Sequence, residues 1–151
     1  MFYFIFLVMH CVNKIIRFHV LSPDLSNFEI RKIPKMYILK MPNYTIIVFE
    51  NGKGRIMGKK ASKKTLLARF PNATNIRVQS KTYSINMNTP INLEKIRDGI
   101  YEPELFASRT IHKFEVMINL FHNGKVIVMG KKCNKCLLLT KVIPYIKRCI
   151  V

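Results

Sequence analysis

Two short stretches of the chain alternate side to side with the period of two that a half-buried β-strand imposes. Lys125, Ile127 and Met129 share one side while Val126 and Val128 share the other, and Lys53, Arg55 and Met57 repeat the first set earlier in the chain. Each stretch follows an apolar, β-rich run, Tyr44 to Phe49 and Val116 to Phe121, and Asn-Gly joins the two members of each pair. Asn-Gly between such runs predicts a β-hairpin in both places. After each hairpin Gly-Lys-Lys leads into a helix-like stretch, Ala61 to Arg69 and Asn134 to Arg148. Upstream, Ser22-Pro23 and Thr89-Pro90 each set an N-cap residue before proline at a first helical position. That spacing predicts short helices over Asp24 to Phe28 and Ile91 to Arg97.

The two patterns are copies of one unit. Residues 49–67 read FENGKGRIMGKKASKKTLL and residues 121–139 read FHNGKVIVMGKKCNKCLLL, with eleven of nineteen positions identical at an offset of 72. Two copies account for nearly the whole chain, which predicts a two-lobed molecule: residues 1–10 as an apolar extension or strand, 11–72 as the first repeat and 73–151 as the second. Strands with helices on one face make the fold class α+β, an antiparallel sheet whose other face is free to bind. The strand side holding lysine and arginine is the expected ligand face; the plainer reading is a solvated strand face.

Composition narrows the ligand. At 151 residues, 49% hydrophobic and 11% aromatic, the chain can bury one core, and it is too apolar for a disordered tail. Twenty-six lysines and arginines against eight acids give +18, so its natural partner is a polyanion, with nucleic acid foremost. The opening MFYFIFLVM is about half of a bilayer span and lacks a basic lead and a small-residue cleavage site, so no membrane partner is expected. Cys11, Cys133, Cys136 and Cys149 are too few for a disulfide framework, and Cys133-x-x-Cys136 has no second pair at zinc spacing. Neither a metal nor another cofactor is expected. His10, His19, His112 and His122 are scattered without a nucleophile, and no enzyme activity is indicated.

Tyr101-Glu102-Pro103-Glu104-Leu105-Phe106, followed by a strand ending at Phe121 and then Asn-Gly-Lys, resembles the second half of the TATA-binding protein core. The likeness runs from about Cys11 to the C-terminus. It implies a saddle-shaped sheet seated in a widened DNA minor groove, with helices on the convex side. It also implies two phenylalanine wedges per half. Phe106 and Phe121 take those places in the second half; Phe49 takes one in the first, and the other falls at Ile33 or, shifted by one, at Pro34. One asparagine from each half reads groove acceptors in this family. Asn13 aligns with the first, while Ser80, beside Gln79, stands at the second. The family's strand threonine is replaced by Met57 and Met129, which keep apolar contact and lose a hydroxyl. Phosphate contacts fall to Lys53, Arg55, Lys59 and Lys60 in one half and Lys125, Lys131 and Lys132 in the other.

The resemblance further implies that Glu102, Glu104 and Leu105 dock a B-type general initiation factor, through the second half alone, on the way to the polymerase machinery. A transcription initiation factor acting as a monomer on AT-rich double-stranded DNA is therefore expected. Compactness and an AT-rich coding bias suggest a viral source, placing the protein in a host nucleus or a cytoplasmic viral factory. Two other readings remain open: an architectural, sequence-tolerant DNA-binding protein, and an inhibitor of host transcription factors.

Overall fold

The computed structural model describes residues 9–32 and 35–150. Among the described residues there are nine strands: β1 (Met9–His19), β2 (Glu29–Lys32), β3 (Lys35–Lys40), β4 (Thr45–Phe49), β5 (Lys53–Gly58), β6 (Thr74–Asn86), β7 (Ser108–Lys113), β8 (Val116–Phe121) and β9 (Lys125–Gly130). The helices are α1 (Lys63–Arg69), α2 (Lys135–Leu137) and α3 (Ile143–Ile150). Two compact units emerge, one Val12–Lys81 and the other Thr82 onward together with the opening of β1 as far as Cys11. They are called the first-repeat and second-repeat units below. Residues 1–8, predicted as an apolar extension, lie outside the described residues, as do Ile33 and Pro34.

The first-repeat unit orders its strands β2-β3-β4-β5-β1, with the first part of β6 next to β1. Pairings β2–β3, β3–β4, β4–β5 and β1–β5 are all antiparallel. One face carries the core, in which Ile16, Phe18, Ile46, Val48 and Ile56 meet Leu66 of α1 and Phe70 just beyond it. Ser62 caps α1, its Oγ accepting from the Thr65 N–H at 3.0 Å. In the second-repeat unit the order is β6-β9-β8-β7. Tyr83, Ile85, Ile118, Leu120, Val126 and Val128 there pack under Leu138, Val142 and Ile146 of the C-terminal helical run.

β1 and β6 serve both cores in the same manner. Met9 and Cys11 pack against the second-repeat core while Ile16 and Phe18 belong to the first-repeat core. Sixty-seven residues on, Ile76 and Val78 pack against the first-repeat core while Tyr83 and Ile85 belong to the second. The change of compact unit thus falls inside each strand, at Cys11 and Val12 and again at Lys81 and Thr82.

Both predicted hairpins form, closed by identical chemistry. Gly52 donates to the Phe49 carbonyl (2.9 Å) and Gly124 to the Phe121 carbonyl (3.1 Å), while Asn51 and Asn123 each accept from the amide two residues on. The glycines lie at φ 85° and 89°. A Cβ at either would come within 2.4 Å of the Val20 carbonyl oxygen or 2.3 Å of that of Thr89, so close approach as well as φ requires glycine.

The two proline-led helices do not form as predicted. Asp24 to Phe28 is an Asx-type turn in which the Ser26 N–H bonds to Asp24 Oδ1, and Phe28 is buried 5.9 Å from the Phe70 ring. Burial of that ring outweighs the weak local preference of a five-residue helix. Over Ile91 to Arg97 only Leu93–Lys95 is helical, as one 3-10 turn capped by Asn92. The C-terminal stretch is helical nearly as expected, but Leu138–Val142 widens into a π turn, with the Ile143 N–H reaching the Leu138 carbonyl. Pro144 follows directly; it offers no N–H and crowds the carbonyl one turn back, which the wider turn relieves.

Tyr145 on α3 is buried and donates its hydroxyl hydrogen to Asp98 Oδ2. Desolvation first, and then that hydrogen bond, push its phenol well above the ordinary value of 10.0. Above pH 10 unfolded tyrosine releases its proton while Tyr145 retains it, so this contribution to stability, complete below pH 10, is lost as pH rises further. Tyr145→Phe should lessen the fall in melting temperature between pH 9 and pH 11, measured by circular dichroism.

Candidate nucleic-acid interface

Each unit leaves one sheet face uncovered by helix, and period two decides what stands on it. In the first-repeat unit β5 buries Gly54 and Ile56 and turns out Lys53, Arg55 and Met57. β4 turns out Thr45, Ile47 and Phe49, and β1 turns out Ile15, Arg17 and His19. Register puts Ile15 opposite Met57, Arg17 opposite Arg55 and His19 opposite Lys53. On β6, Asn75, Arg77 and Gln79 alternate with Ile76 and Val78, which pack on the core.

Arg17, Lys53, Arg55 and Arg77 line a groove of about 510 Å³ beside Phe49, and among the described residues no acid lines it. Like charges directly opposite on paired strands oppose folding by roughly 0.2–1 kcal/mol per pair, so a face built around Arg17 and Arg55 favours an anionic ligand. Sequence reasoning named Arg55 and missed Arg17 and Arg77. Carrying the alternation through β1 from buried Ile16 and Phe18 would have found Arg17.

The second-repeat face is different. It carries Lys125, Ile127 and Met129 on β9, Met117, Asn119 and Phe121 on β8, and Ser108, Thr110 and His112 on β7. Thr110 Oγ donates to Asn119 Oδ1 across the ladder at 2.8 Å, a bond that does not use the Asn119 amide hydrogens. Asn119 is a second amide that the sequence did not single out. Phe121 pairs with Ser108. Two residues before Ser108 stands Phe106, 69% exposed, with Leu105 at 69% and Ile100 at 64% close by in sequence.

The loop bearing Phe106 is anchored from beneath. Its turn closes through the Leu105 and Phe106 amides, both donating to the Glu102 carbonyl at 2.9 Å. Buried Arg109 donates through Nε to the Leu93 carbonyl (2.8 Å) and through Nη1 to the Asp98 carbonyl (3.1 Å), and it lies 5.2 Å from the Tyr101 ring centre. Tyr101 in turn shares a hydrogen bond with His122 at 2.8 Å. Glu102 and Glu104 are exposed on this loop.

The remaining predicted residues are distributed as follows. Asn13 lies in the crossing part of β1, between Cys11 and Ile16, and Ser80 lies in the crossing part of β6, between Val78 and Tyr83. Gln79 is exposed beside Ser80. Lys59 and Lys60 occupy the turn after β5, and Lys131 and Lys132 the matching turn after β9, all exposed. Lys132 is already engaged in an ion pair with Glu115, whose carboxyl it holds below the usual range. Cys133 is buried with its thiol 3.7 Å from the Val128 carbonyl, while Cys136 is exposed. Among the described residues no group of three or more His, Cys, Asp or Glu comes together as a metal site would require.

Residues 75–148 match the family model described as transcription factor TFIID, or TATA-binding protein. The chain is 31% identical over 126 residues to the TATA-box-binding protein of Methanobrevibacter smithii, covering 70% of each chain. It is 25% identical over 117 residues to that of Pyrodictium occultum, covering 64% of this chain and 58% of the other. The chain therefore spans under three fifths of the length of some curated relatives it matches. Its fold superimposes on Methanococcus jannaschii TBP with a TM-score of 0.71 at 19% identity, covering 93% of this chain and 98% of that one. The family match, the relatives and the shared fold lead to one assignment: this chain belongs to the TATA-binding protein family.

Proposed function

We propose that the protein is a DNA-binding transcription initiation factor that grips double-stranded DNA from the minor groove and bends it. The observation that carries this reading is Phe106, a phenylalanine 69% exposed on a braced loop next to the strand partner of Phe121. A large aromatic held out of the core has its apolar surface available for a base step. Unstacking costs about a few kcal/mol per step across minor-groove wedging proteins, TATA-binding proteins among them, and the bent duplex returns it as extra contact. Phe121 is the second wedge; Phe49 and Ile33 are the weaker first-repeat counterparts.

Asn13 and Asn119 supply amide donors to groove acceptors, which are degenerate between A·T and T·A; Gln79 adds a longer-reach amide and Ser80 a shorter-reach hydroxyl. Met57 and Met129 pad the groove. Lys53, Lys59, Lys60, Lys125 and Lys131 neutralise phosphates and position the protein without reading sequence, with Lys132 available once Glu115 releases it. Glu102, Glu104 and Leu105 form the surface for a B-type initiation factor, and through it for polymerase. The protein acts as a monomer on DNA, in the compartment where its promoters are transcribed, a host nucleus being the expected one. No catalytic step is assigned. Ser80 in place of an asparagine, and Met57 and Met129 in place of threonine, lend support to a second reading, a sequence-tolerant architectural role.

Groove choice is testable by competition on an A·T-rich duplex. A dye that fills the minor groove should displace the protein as it saturates the duplex, and a major-groove dye should leave it bound. Displacement by the major-groove dye alone contradicts the reading.

A further inference from the structure

The two binding faces of this repeated molecule are built from different chemistry. On the first-repeat face Arg17 of β1 stands opposite Arg55 of β5, with β4 on one side and β6 on the other. Arg77 of β6 lines the same groove. At the matching places of the second repeat the sequence has Ser84 and His10, 67 residues from Arg17 and Arg77, and Ile127, 72 residues from Arg55. Three arginines in one unit thus answer to none at the same places in the other. All three are exposed, and among the described residues Arg17 and Arg55 neither hydrogen bond nor pair with an acid.

Resting on the minor-groove reading above, we propose that Arg17 and Arg55 read the floor of the opened groove, donating to base-edge acceptors and selecting against guanine beneath the first-repeat unit. Wedges inserted from the minor groove kink the duplex toward the major groove. With wedges entering under both units, the minor groove opens and its phosphates move apart. Side chains in the middle of a sheet face then look at base edges, while Lys59 and Lys60, at the turn, are left for phosphates. Strands about 4.8 Å apart and base pairs about 3.4 Å apart put the two guanidiniums over neighbouring pairs. A·T and T·A pairs offer only acceptors there, adenine N3 and thymine O2, whereas guanine adds its N2 amino donor. Arginine has five N–H donors and no acceptor, so it satisfies the first kind of pair and is opposed by the second. Arginine serves this distinction in minor-groove proteins generally. Guanidinium is also more weakly hydrated than ammonium, so it loses less on leaving water for the groove. Arg55, which the family resemblance would set on a phosphate, is thereby assigned to the floor.

The test exchanges A·T pairs for G·C, or for inosine·C, which is G·C without the N2 amino group, in one half of an A·T-rich site at a time. Binding of the native protein is compared with Arg17→Ser/Arg55→Ser and with Arg17→Lys/Arg55→Lys. Melting curves confirm that each variant is folded. In one half of the site the native protein should bind the G·C duplex about tenfold less tightly than the A·T duplex, a cost of the size one mismatched pair carries. Inosine·C in that half should restore binding. In the serine variant, whose short hydroxyls accept from an amino group, the gap between G·C and inosine·C should close. The lysine variant should bind A·T and inosine·C more weakly than the native protein at an unchanged slope of log affinity against log salt, because one ammonium keeps the charge but not the fork. A gap that survives in the serine variant overturns the proposal. A loss of affinity equal on all three duplexes, or a lysine variant that matches the native protein throughout, places the arginines on phosphates and overturns it equally. A native protein that binds G·C and inosine·C alike in both halves removes the minor-groove reading itself, a failure distinct from these.

Discussion

Replacing Phe106 and Phe121 together by alanine should abolish kinking under the second-repeat unit while leaving the fold intact. Phe106 is 69% exposed and Phe121 lies on the open face of β8, alternating with buried Ile118 and Leu120, so neither ring holds a core together. Each ring buried between bases is worth about 1.5–3 kcal/mol of apolar transfer, against which a few kcal/mol of unstacking per step must be set. Net affinity should therefore fall by roughly tenfold to a hundredfold, because about 1.4 kcal/mol corresponds to each factor of ten. The bend at that end should vanish, since Phe106 and Phe121 are the two wedges proposed for the unit. A 2-aminopurine placed at the kinked step reports this: its fluorescence rises on binding native protein and stays flat with the double variant. A rise of equal size with the variant would remove both phenylalanines from the wedge role.

Arg109→Leu should be the most damaging single change at the loop. The guanidinium is only 8% exposed and supplies the Leu93 and Asp98 carbonyls with donors while supporting the Tyr101 ring. Leucine keeps much of the stem's bulk and leaves both acceptors unserved, a loss of about 3 kcal/mol for hydrogen bonds from a charged donor. At about 2–4 °C per kcal/mol for a protein of this size, the melting temperature should drop by roughly 10 °C. Hydrogen exchange should quicken first at the Ile100 amide, which bonds to the Thr110 carbonyl at 2.9 Å just before the Tyr101 loop. Arg109→Lys should rescue little, because one ammonium cannot reproduce the two-armed fork. Full stability in Arg109→Leu would show that the loop is braced from elsewhere.

The hairpins around Asn51-Gly52 and Asn123-Gly124 were legible in the sequence because turn chemistry and period two act over a few neighbouring residues. The helix expected over Asp24 to Phe28 was misread for the converse reason. Its local signals were outweighed by Phe28 joining Phe18 and Phe70 in a core assembled from distant parts of the chain. The sharing of β1 and β6 between cores has no local signature either: Met9 and Cys11 stand at odd positions and Ile16 and Phe18 at even ones, so strict alternation would have set the two pairs on opposite faces, whereas each pair packs on a core. Arg17 and Asn119 were readable by extending the same alternation into β1 and β8. Arg109, flanked by polar neighbours in Ser-Arg-Thr, needed the structure to reveal its two buried acceptors. The wedge role proposed for Phe106 and Phe121 comes from the family motif alone, since an isolated phenylalanine at a strand end ordinarily packs into a core.

The proposed function requires that the protein bend DNA by gripping the minor groove of A·T-rich sequence. Energy transfer between dyes at the two ends of a duplex measures it directly, on an A·T-rich duplex containing TA steps, on the same base composition in scrambled order, and on a G·C-rich duplex. The account predicts end-to-end shortening on the A·T-rich duplex and none on the G·C-rich one, with the scrambled duplex showing how far base order matters. Saturating binding with unchanged end-to-end distance on all three duplexes would contradict it.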